Sequence, residues 1–317
     1  MEQNGRLGHS VISLDRVTKR FESAGRVKEV VDNVSLEVKE NEFVVLFGPG
    51  QCGKTTLINI LTGYLAPTSG RALLGGHDPL MEPGEAKRHL GYLPEQPPLY
   101  DEMTVREYLR FVAALKGVAA RAIPAHVDEV MELTGLTSMQ SRLLGHLSKG
   151  FRQRAGMAQA LCGDPDFLVL DEPINGLDPQ GIVEMRELIL ELNRERQITV
   201  LISSHILDEL SKLPTHYGFI DGGRMVKEVS AQELEAACRK CARVEVTSVP
   251  ALCRVLDSWQ LEYSVVDGAA ADIYGELNIT ALVDALRKEG CSLLSVKERD
   301  ESLESYYINL VGGERHG

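Results

Sequence analysis

The stretch GPGQCGKTT, residues 48–56, fits the pattern G-x-x-x-x-G-K-[ST] from Gly48 to Thr55. Before it lies EFVVLF (42–47), a continuous apolar run that predicts a buried strand. After it, the apolar spacing of KTTLINILTGYL predicts a helix. Glycines let the backbone curl so that successive N–H groups point at one anion, and the helix start adds partial positive charge. The stretch therefore predicts a phosphate-binding loop between a strand and a helix.

Each polar side chain of this loop has an expected partner in ATP and Mg²⁺. The Lys54 ammonium would reach the β- and γ-phosphates, the Thr55 hydroxyl would ligate Mg²⁺, and Thr56 could contact the α-phosphate. The full set of loop residues expected around the phosphates is Gly48, Pro49, Gly50, Gln51, Cys52, Gly53, Lys54, Thr55 and Thr56.

Two further apolar strands are predicted to end in polar side chains beside the loop. DFLVLDEP ends in Asp171 and Glu172, and ITVLISSH ends in His205. Because the carboxyl ends of parallel strands meet at one edge of a sheet, these side chains are expected near the phosphates. Asp171 would hold Mg²⁺ through a water, Glu172 would orient and polarise an attacking water, and His205 would reach the γ-phosphate. Without the glycine loop, the same carboxylates would indicate a solvated turn and the histidine a structural residue.

Composition limits the possible partners. The chain has 317 residues, enough for two domains, and its 34 Lys and Arg against 46 Asp and Glu give a net charge of −12. An acidic chain without a basic run is a poor candidate for nucleic-acid binding. Six scattered cysteines are typical of a reducing cytosol rather than of a disulfide framework. Neither a signal-peptide pattern nor an apolar run of about 20 residues is found, so any membrane role is expected to come through a partner.

The rhythm of apolar residues changes near residue 229. Before that point, the first 45 residues indicate short strands of an antiparallel layer, residues 100–162 are mostly helical, and GFIDGGRMVKEV (218–229) indicates a hairpin. After it, strands and helices follow the order βαββαβ, a ferredoxin-like pattern.

The motif LSKGFRQR (147–154), followed by DEPINGLDP, resembles the signature helix, Walker B motif and D-loop of ATP-binding cassette (ABC) ATPases. The resemblance covers about residues 10–228. In that family two cassettes pair head to tail with two ATP molecules between them, which implies a second cassette as partner, in a homodimer. Ser148 and Gly150 would then contact the γ-phosphate held by the partner's loop, and Asp178 would lie at the dimer seam.

The resemblance implies an α/β fold, a P-loop NTPase cassette with a mostly parallel core sheet, an antiparallel β subdomain and a helical subdomain at about 96–160. The ABC-type ATP-binding domain would span residues 1–228. Residues 229–317 would form a small ferredoxin-like α+β domain with an accessory or regulatory role.

Several positions depart from the family pattern. Gln51 stands where the family places a glycine, and Gly50 comes one position earlier. Either the bend has moved by one residue, or Gln51 holds a glycine-like φ at a cost of about 1 kcal/mol. Lys149 and Phe151 replace two family-typical residues of the signature.

Two further binding residues follow from the resemblance. Phe21 falls where the family places an aromatic ring against adenine, although an aromatic residue in a strand is as often part of a core. GYLPEQPPLY (91–100) occupies the family's Q-loop, with Glu95 where glutamine is usual and Gln96 next to it. Either side chain could approach Mg²⁺ or the attacking water.

This combination of motifs is similar to the ATPases of ABC-2-type exporters. It implies an ATP hydrolase, with Glu172, His205 and Lys54 as catalytic residues, that drives a separate membrane permease from the cytoplasmic face of the cell membrane. The permease would dock at about residues 95–116. Two alternatives remain: a soluble ABC ATPase acting on a non-transport partner, and a nucleotide sensor without turnover.

Overall fold

The computed structural model describes residues 10–23, 25–206, 214–238, 241–275, 277–299 and 303–314. The chain divides into two compact units, Met1–Ala231 and Gln232–Gly317. No helix within the described ranges combines the length and the apolar character that crossing a bilayer requires.

The first unit contains nine described strands and six described α-helices. The strands are β1 (Ser10–Ser23), β2 (Arg26–Lys39), β3 (Phe43–Phe47), β4 (Ser69–Leu74), β5 (Leu90–Leu93), β6 (Phe167–Asp171), β7 (Thr199–Ser204), β8 (His216–Asp221) and β9 (Arg224–Ser230). The helices are α1 (Lys54–Leu61), α2 (Pro83–Arg88), α3 (Val105–Leu115), α4 (Ile123–Leu133), α5 (Lys149–Leu161) and α6 (Pro179–Arg194).

The core sheet has the strand order β5-β6-β7-β3-β8-β9, and all its neighbours pair in parallel except β8 and β9. Every residue of β3, β6 and β7 is buried, as expected for a parallel sheet covered on both faces. Because β6 and β3 flank β7, the loop after β3 lies beside the polar residues that follow β6 and β7. The predicted α/β fold with a mostly parallel sheet is confirmed.

The antiparallel layer consists of β1 paired with β2 on one side and with β4 on the other. Its two first strands have 14 residues each, longer than the short strands expected from the sequence. Register shifts explain the difference, since Arg16 takes a φ of +48° at one of them and the pairing continues beyond it.

The segment between β5 and β6 is mainly helical, as predicted. Helix α3 begins with a capping box, in which the Thr104 side chain accepts from the Glu107 backbone N–H and Glu107 accepts in return. Helix α5 packs closely on the chain after β5, because a Cβ at Gly156 would lie 2.5 Å from Pro97 Cγ.

The second unit has the ferredoxin-like order that the sequence predicts. Its elements are α7 (Ala231–Ala237), β10 (Cys241–Val246), α8 (Val249–Ser258), β11 (Glu262–Val265), β12 (Ala270–Tyr274), α9 (Ile279–Lys288), β13 (Leu293–Arg299) and α10 (Leu303–Glu314). The four strands form an antiparallel sheet in the order β11-β12-β10-β13. Its separate core includes Val244, Leu252, Ile273 and Leu286.

Candidate active site

A cleft of about 470 Å³ opens at the carboxyl ends of β3, β6 and β7. Residues 50–56 of the glycine loop line it together with Glu95, Glu172 and His205. The structure thus brings together side chains that three separate motifs of the sequence place at strand ends.

The conformation of the loop decides between the two alternatives for Gln51. Gln51 has a φ of +66°, whereas Gly50 stays outside the left-handed region and would meet no atom within 4 Å of an added Cβ. The bend has therefore not moved by one residue, and Gln51 holds the glycine-like conformation. This conformation costs a residue with a Cβ about 1 kcal/mol.

Glycine is required at both ends of the loop for lack of space. A Cβ on Gly48 would lie 2.6 Å from Cys52 Sγ and would also collide with the Ile220 carbonyl oxygen. Gly53 has a φ of +107°, and its Cβ would lie 2.8 Å from the Val30 carbonyl oxygen. Cys52 is buried between them, and this burial raises the pKa of its thiol although Lys54 lowers it.

Lys54, the first residue of α1, turns its side chain back into the loop. Its Nζ donates to the carbonyl oxygens of Gly48 at 2.6 Å and Pro49 at 3.1 Å, and it lies 3.6 Å from Glu172 Oε1. The side chain is only 6% exposed. One ammonium group therefore connects the loop to the carboxylate that follows β6.

Asp171 is the buried end of β6. Its Oδ1 accepts a short hydrogen bond from the Ser203 hydroxyl and lies 3.4 Å from the Thr55 hydroxyl, which donates to it. Burial raises the pKa of Asp171, and the hydrogen bonds from Ser203 and Thr55 lower it by less. A carboxylate and a hydroxyl that share this position form a hard oxygen pair, which is suited to a small divalent cation.

Glu172 and His205 form a close pair. The imidazole Nδ1 of His205 lies 2.7 Å from Glu172 Oε2, and the His205 backbone N–H donates to the same oxygen at 3.3 Å. Glu172 has a φ of +50° and its N–H donates to the Ser203 hydroxyl at 3.1 Å. A strained backbone and a buried carboxylate that holds a histidine are features that concentrate at functional sites.

The Q-loop candidates separate in the structure. Glu95 lines the cleft, and its Oε1 accepts from Asn175 Nδ2 at 3.3 Å. Gln96 is not among the residues that line the cleft. Phe21 does not line it either: the ring is 42% exposed, and Lys19 Nζ lies 5.2 Å from its centroid.

The signature and D-loop residues lie apart from this cleft but next to each other. Ser148 caps α5 by accepting from the Phe151 N–H at 3.4 Å, and Asp178 caps α6 by accepting from the Gly181 N–H at 3.1 Å. A Cβ on Gly150 would lie 3.8 Å from Leu177 Cδ2, so the two caps belong to one surface. None of these residues lines the cleft of their own chain. The prediction that Ser148 and Gly150 contact a phosphate held by the partner's loop stays a prediction.

Four residues of the site were missed in the sequence. Ser203 carries a hydroxyl group within ITVLISSH, a strand that the sequence predicts to be buried. A polar side chain in a buried strand was a signal that could have identified it. Asn175 lies within DEPINGLDP, where its motif could have identified it. Lys28 and Val30 also line the cleft, but their position depends on how the hairpin of β1 and β2 pairs.

Comparisons with known proteins agree with this geometry. The family model described as ABC transporter matches residues 31–175. The bacitracin transport ATP-binding protein BcrA of Bacillus licheniformis is 34% identical over 307 residues, which cover 96% of this chain and 98% of that protein.

Solved structures share the fold over most of the chain. The structure of an ATP binding subunit of an ABC transporter is 25% identical with a TM-score of 0.64, covering 72% of this chain and 93% of that one. The dimeric, post-hydrolysis structure of the ATP-binding cassette MJ0796, bound to ADP and Pi, is 23% identical with a TM-score of 0.64. It covers 69% of this chain and 98% of that one.

We expect Gln51→Gly to raise the free energy of unfolding by up to about 1 kcal/mol, because glycine adopts the positive φ without strain. Chemical denaturation without nucleotide would measure the change. Gln51→Ala is the matched control, since it removes the same side chain but keeps the Cβ. Equal stability of the two variants would contradict the strain at this position.

We expect Asp171→Asn to raise the melting temperature of the nucleotide-free protein at neutral pH. The pKa of Asp171 is raised, so its ionised form costs the folded state stability at pH values above the ordinary 3.8. The advantage of the variant should therefore grow as pH rises from 3.8 through the higher folded pKa, as calorimetry over that range would show. The exposed Asp284→Asn should show no such trend, and a variant less stable than wild type throughout would refute the burial cost.

Proposed function

From the premise that the chain belongs to the family of ABC transporter ATP-binding proteins, we propose that it powers a separate membrane permease of an ABC-2-type exporter. Membership of the family makes it an ATP-binding protein and an ATP hydrolase. The assignment to an ABC-2-type exporter depends on the site, the exposed surfaces and the second unit of this chain.

The observation that carries the hydrolytic role is the line of contacts from Lys54 through Glu172 to His205, at 3.6 and 2.7 Å. We assign Glu172 as the base that orients water and takes its proton. The carboxylate accepts from His205, so the Nδ1 of that ring carries a proton.

Lys54 would exchange partners when ATP binds. In the described site its ammonium is satisfied by two carbonyl oxygens and lies near Glu172. Phosphate oxygens carry more charge than carbonyls and would draw Lys54 toward them. That movement would leave Oε1 of Glu172 free to accept a proton from water, while Oε2 keeps its contacts with His205.

The residues fit Mg²⁺. Thr55 would hold the ion directly and Asp171 through a water, since both offer hard oxygen atoms and Asp171 is already buried as a carboxylate next to the hydroxyl. A magnesium ion held by these residues would neutralise charge on the transferred phosphate. Glu95 is our choice over Gln96 for the Q-loop role, because it lines the cleft.

A second copy of the chain would complete the site. Ser148, Gly150 and Asp178 lie on a surface of their own, outside the cleft of the same chain, and the start of α5 is a suitable position for an anion. The MJ0796 cassette, which shares the fold over most of this chain, is dimeric with ADP and Pi bound. We therefore propose a head-to-tail homodimer in which this surface faces the partner's loop, with Phe21 against adenine.

The permease would dock on an exposed cluster of two aromatic residues and a leucine, called the aromatic cluster and defined as Tyr100, Phe111 and Leu115. Tyr100 lies 5.8 Å from the Phe111 ring, and Leu115 is 72% exposed beside them. Exposed apolar groups in contact with each other are typical of protein interfaces. BcrA carries a transport role in its name, which supports a permease as the partner, at the cytoplasmic face of the cell membrane. For residues 229–317 we propose an accessory or regulatory role.

We expect Glu172→Gln to lower ATP turnover by about 10²–10⁴-fold while ATP binding persists, because the amide cannot take a proton. A phosphate-release assay and equilibrium binding would measure the two effects, and light scattering should show an ATP-dependent dimer. Glu187→Gln, an exposed residue of α6, is the control. Ser148→Arg in the Glu172→Gln background should disperse the dimer.

Three results would contradict this account in different ways. Turnover that persists in Glu172→Gln would remove Glu172 as the base. Wild-type protein that binds ATP without turnover would favour the nucleotide sensor. A Glu172→Gln variant that stays monomeric with ATP would remove the head-to-tail dimer.

We expect a membrane protein with several spans to copurify with the tagged chain from solubilised membranes, because the aromatic cluster offers it an apolar anchor. Mass spectrometry would identify it. Replacing both Tyr100 and Phe111 by alanine should abolish the capture, whereas Tyr64→Ala, another exposed aromatic, should keep it. Capture of ribosomes or DNA instead of a membrane protein would favour the non-transport alternative.

A further inference from the structure

Lys28 is a second lysine in the cleft that holds the glycine loop. It lies on β2, lines the same 470 Å³ space as Gln51 and Lys54, and is exposed. Neither the glycine loop nor the strand-end motifs include it. Its presence in the cleft follows from the path of β2, which passes close to the loop where the Val30 carbonyl oxygen meets Gly53.

The charge of Lys28 is available for a ligand. Lys54 has Glu172 and two carbonyl oxygens within reach, and Lys19 donates to the Ala66 carbonyl oxygen at 2.7 Å. In the described part of the chain, no carboxylate pairs with Lys28, and the adjacent Glu29 pairs with Arg20. Carboxylates also line this cleft, but none of them pairs with the Lys28 ammonium. Its positive charge can therefore attract an anion over a long range.

The hairpin register places Lys28 between the glycine loop and Phe21, the residue predicted to stack against adenine. Lys28 is the direct cross-strand partner of Phe21, so the two side chains lie on one face of the hairpin. Val30, two residues along β2, also lines the cleft. The carbonyl oxygen of Val30 is the atom that excludes a Cβ from Gly53, so β2 runs directly from Phe21's partner to the loop.

We propose that Lys28 binds the α-phosphate of the nucleotide, as a second cation beside Lys54. This inference rests on the proposed function, because it requires a nucleotide with its base at Phe21 and its terminal phosphates in the loop. The α-phosphate is the first anion beyond the base and sugar, and Lys28 is the lysine that lines the cleft opposite Phe21 in the hairpin. An ion pair at this point contributes equally to ATP and ADP, which both carry this phosphate.

The test is equilibrium binding of ATP and ADP to the full chain, followed by fluorescence of a labelled nucleotide. Lys28→Met should weaken both nucleotides by about tenfold, equivalent to about 1.4 kcal/mol, because one charged contact is lost. Lys28→Arg should keep both affinities within about threefold of wild type, since it keeps the charge. The deficit of Lys28→Met should shrink at about 1 M salt, where charges are screened beyond about 3 Å.

Lys39→Met is the matched control, because it removes the same charge from β2 outside the cleft and should leave both affinities unchanged. Thermal unfolding without nucleotide should be the same for the wild type and both methionine variants. A monophosphate competitor, AMP, should also lose affinity in Lys28→Met.

Each contrary outcome has a separate meaning. If wild type binds no nucleotide, the proposed function itself fails. If wild type binds and Lys28→Met binds equally well, the function stands and the role of Lys28 is refuted. If Lys28→Met weakens ATP but not ADP or AMP, Lys28 acts on the γ-phosphate and the assignment to the α-phosphate is wrong.

Discussion

The backbone of residues 48–53 passes so close to its neighbours that glycine is the only residue that fits at both of its ends. A Cβ would lie 2.6 Å from Cys52 Sγ at Gly48 and 2.8 Å from the Val30 carbonyl oxygen at Gly53. This close passage joins β3 to α1 in a tight curve and delivers Lys54 into the loop. The rest of the site is arranged around that curve, because β6 and β7 present their polar ends beside it.

Around the loop, the charged groups form hydrogen bonds and ion pairs within the protein when no nucleotide is bound. Lys54 is bound by carbonyl oxygens, Glu172 holds His205, and Ser203 connects the carboxylate of Asp171 to the backbone of Glu172. Such a network keeps buried charges paired, which limits the cost of burying them. It also means that a bound phosphate competes with existing contacts, so binding and rearrangement of these side chains are coupled.

The same arrangement explains why the proposed function needs a second cassette. The caps of α5 and α6 are side by side, yet they lie on a different surface from the cleft. A helix start with unsatisfied N–H groups is a suitable surface for an anion that another molecule presents. Dimerisation in the proposed function therefore follows from the position of the residues that cap α5 and α6.

The sequence by itself determined the glycine loop, the three buried strands and the βαββαβ order of the tail, because each depends on residues close together in the chain. Tertiary structure alone decided that Gln51 takes the positive φ, that Glu95 rather than Gln96 lines the cleft, and that Lys28 stands opposite Phe21. The pairing of Lys28 with Phe21 depends on the register of β1 and β2, and the other two outcomes depend on how the loops at the strand ends pack. Such features arise from packing between distant residues, which local spacing does not encode.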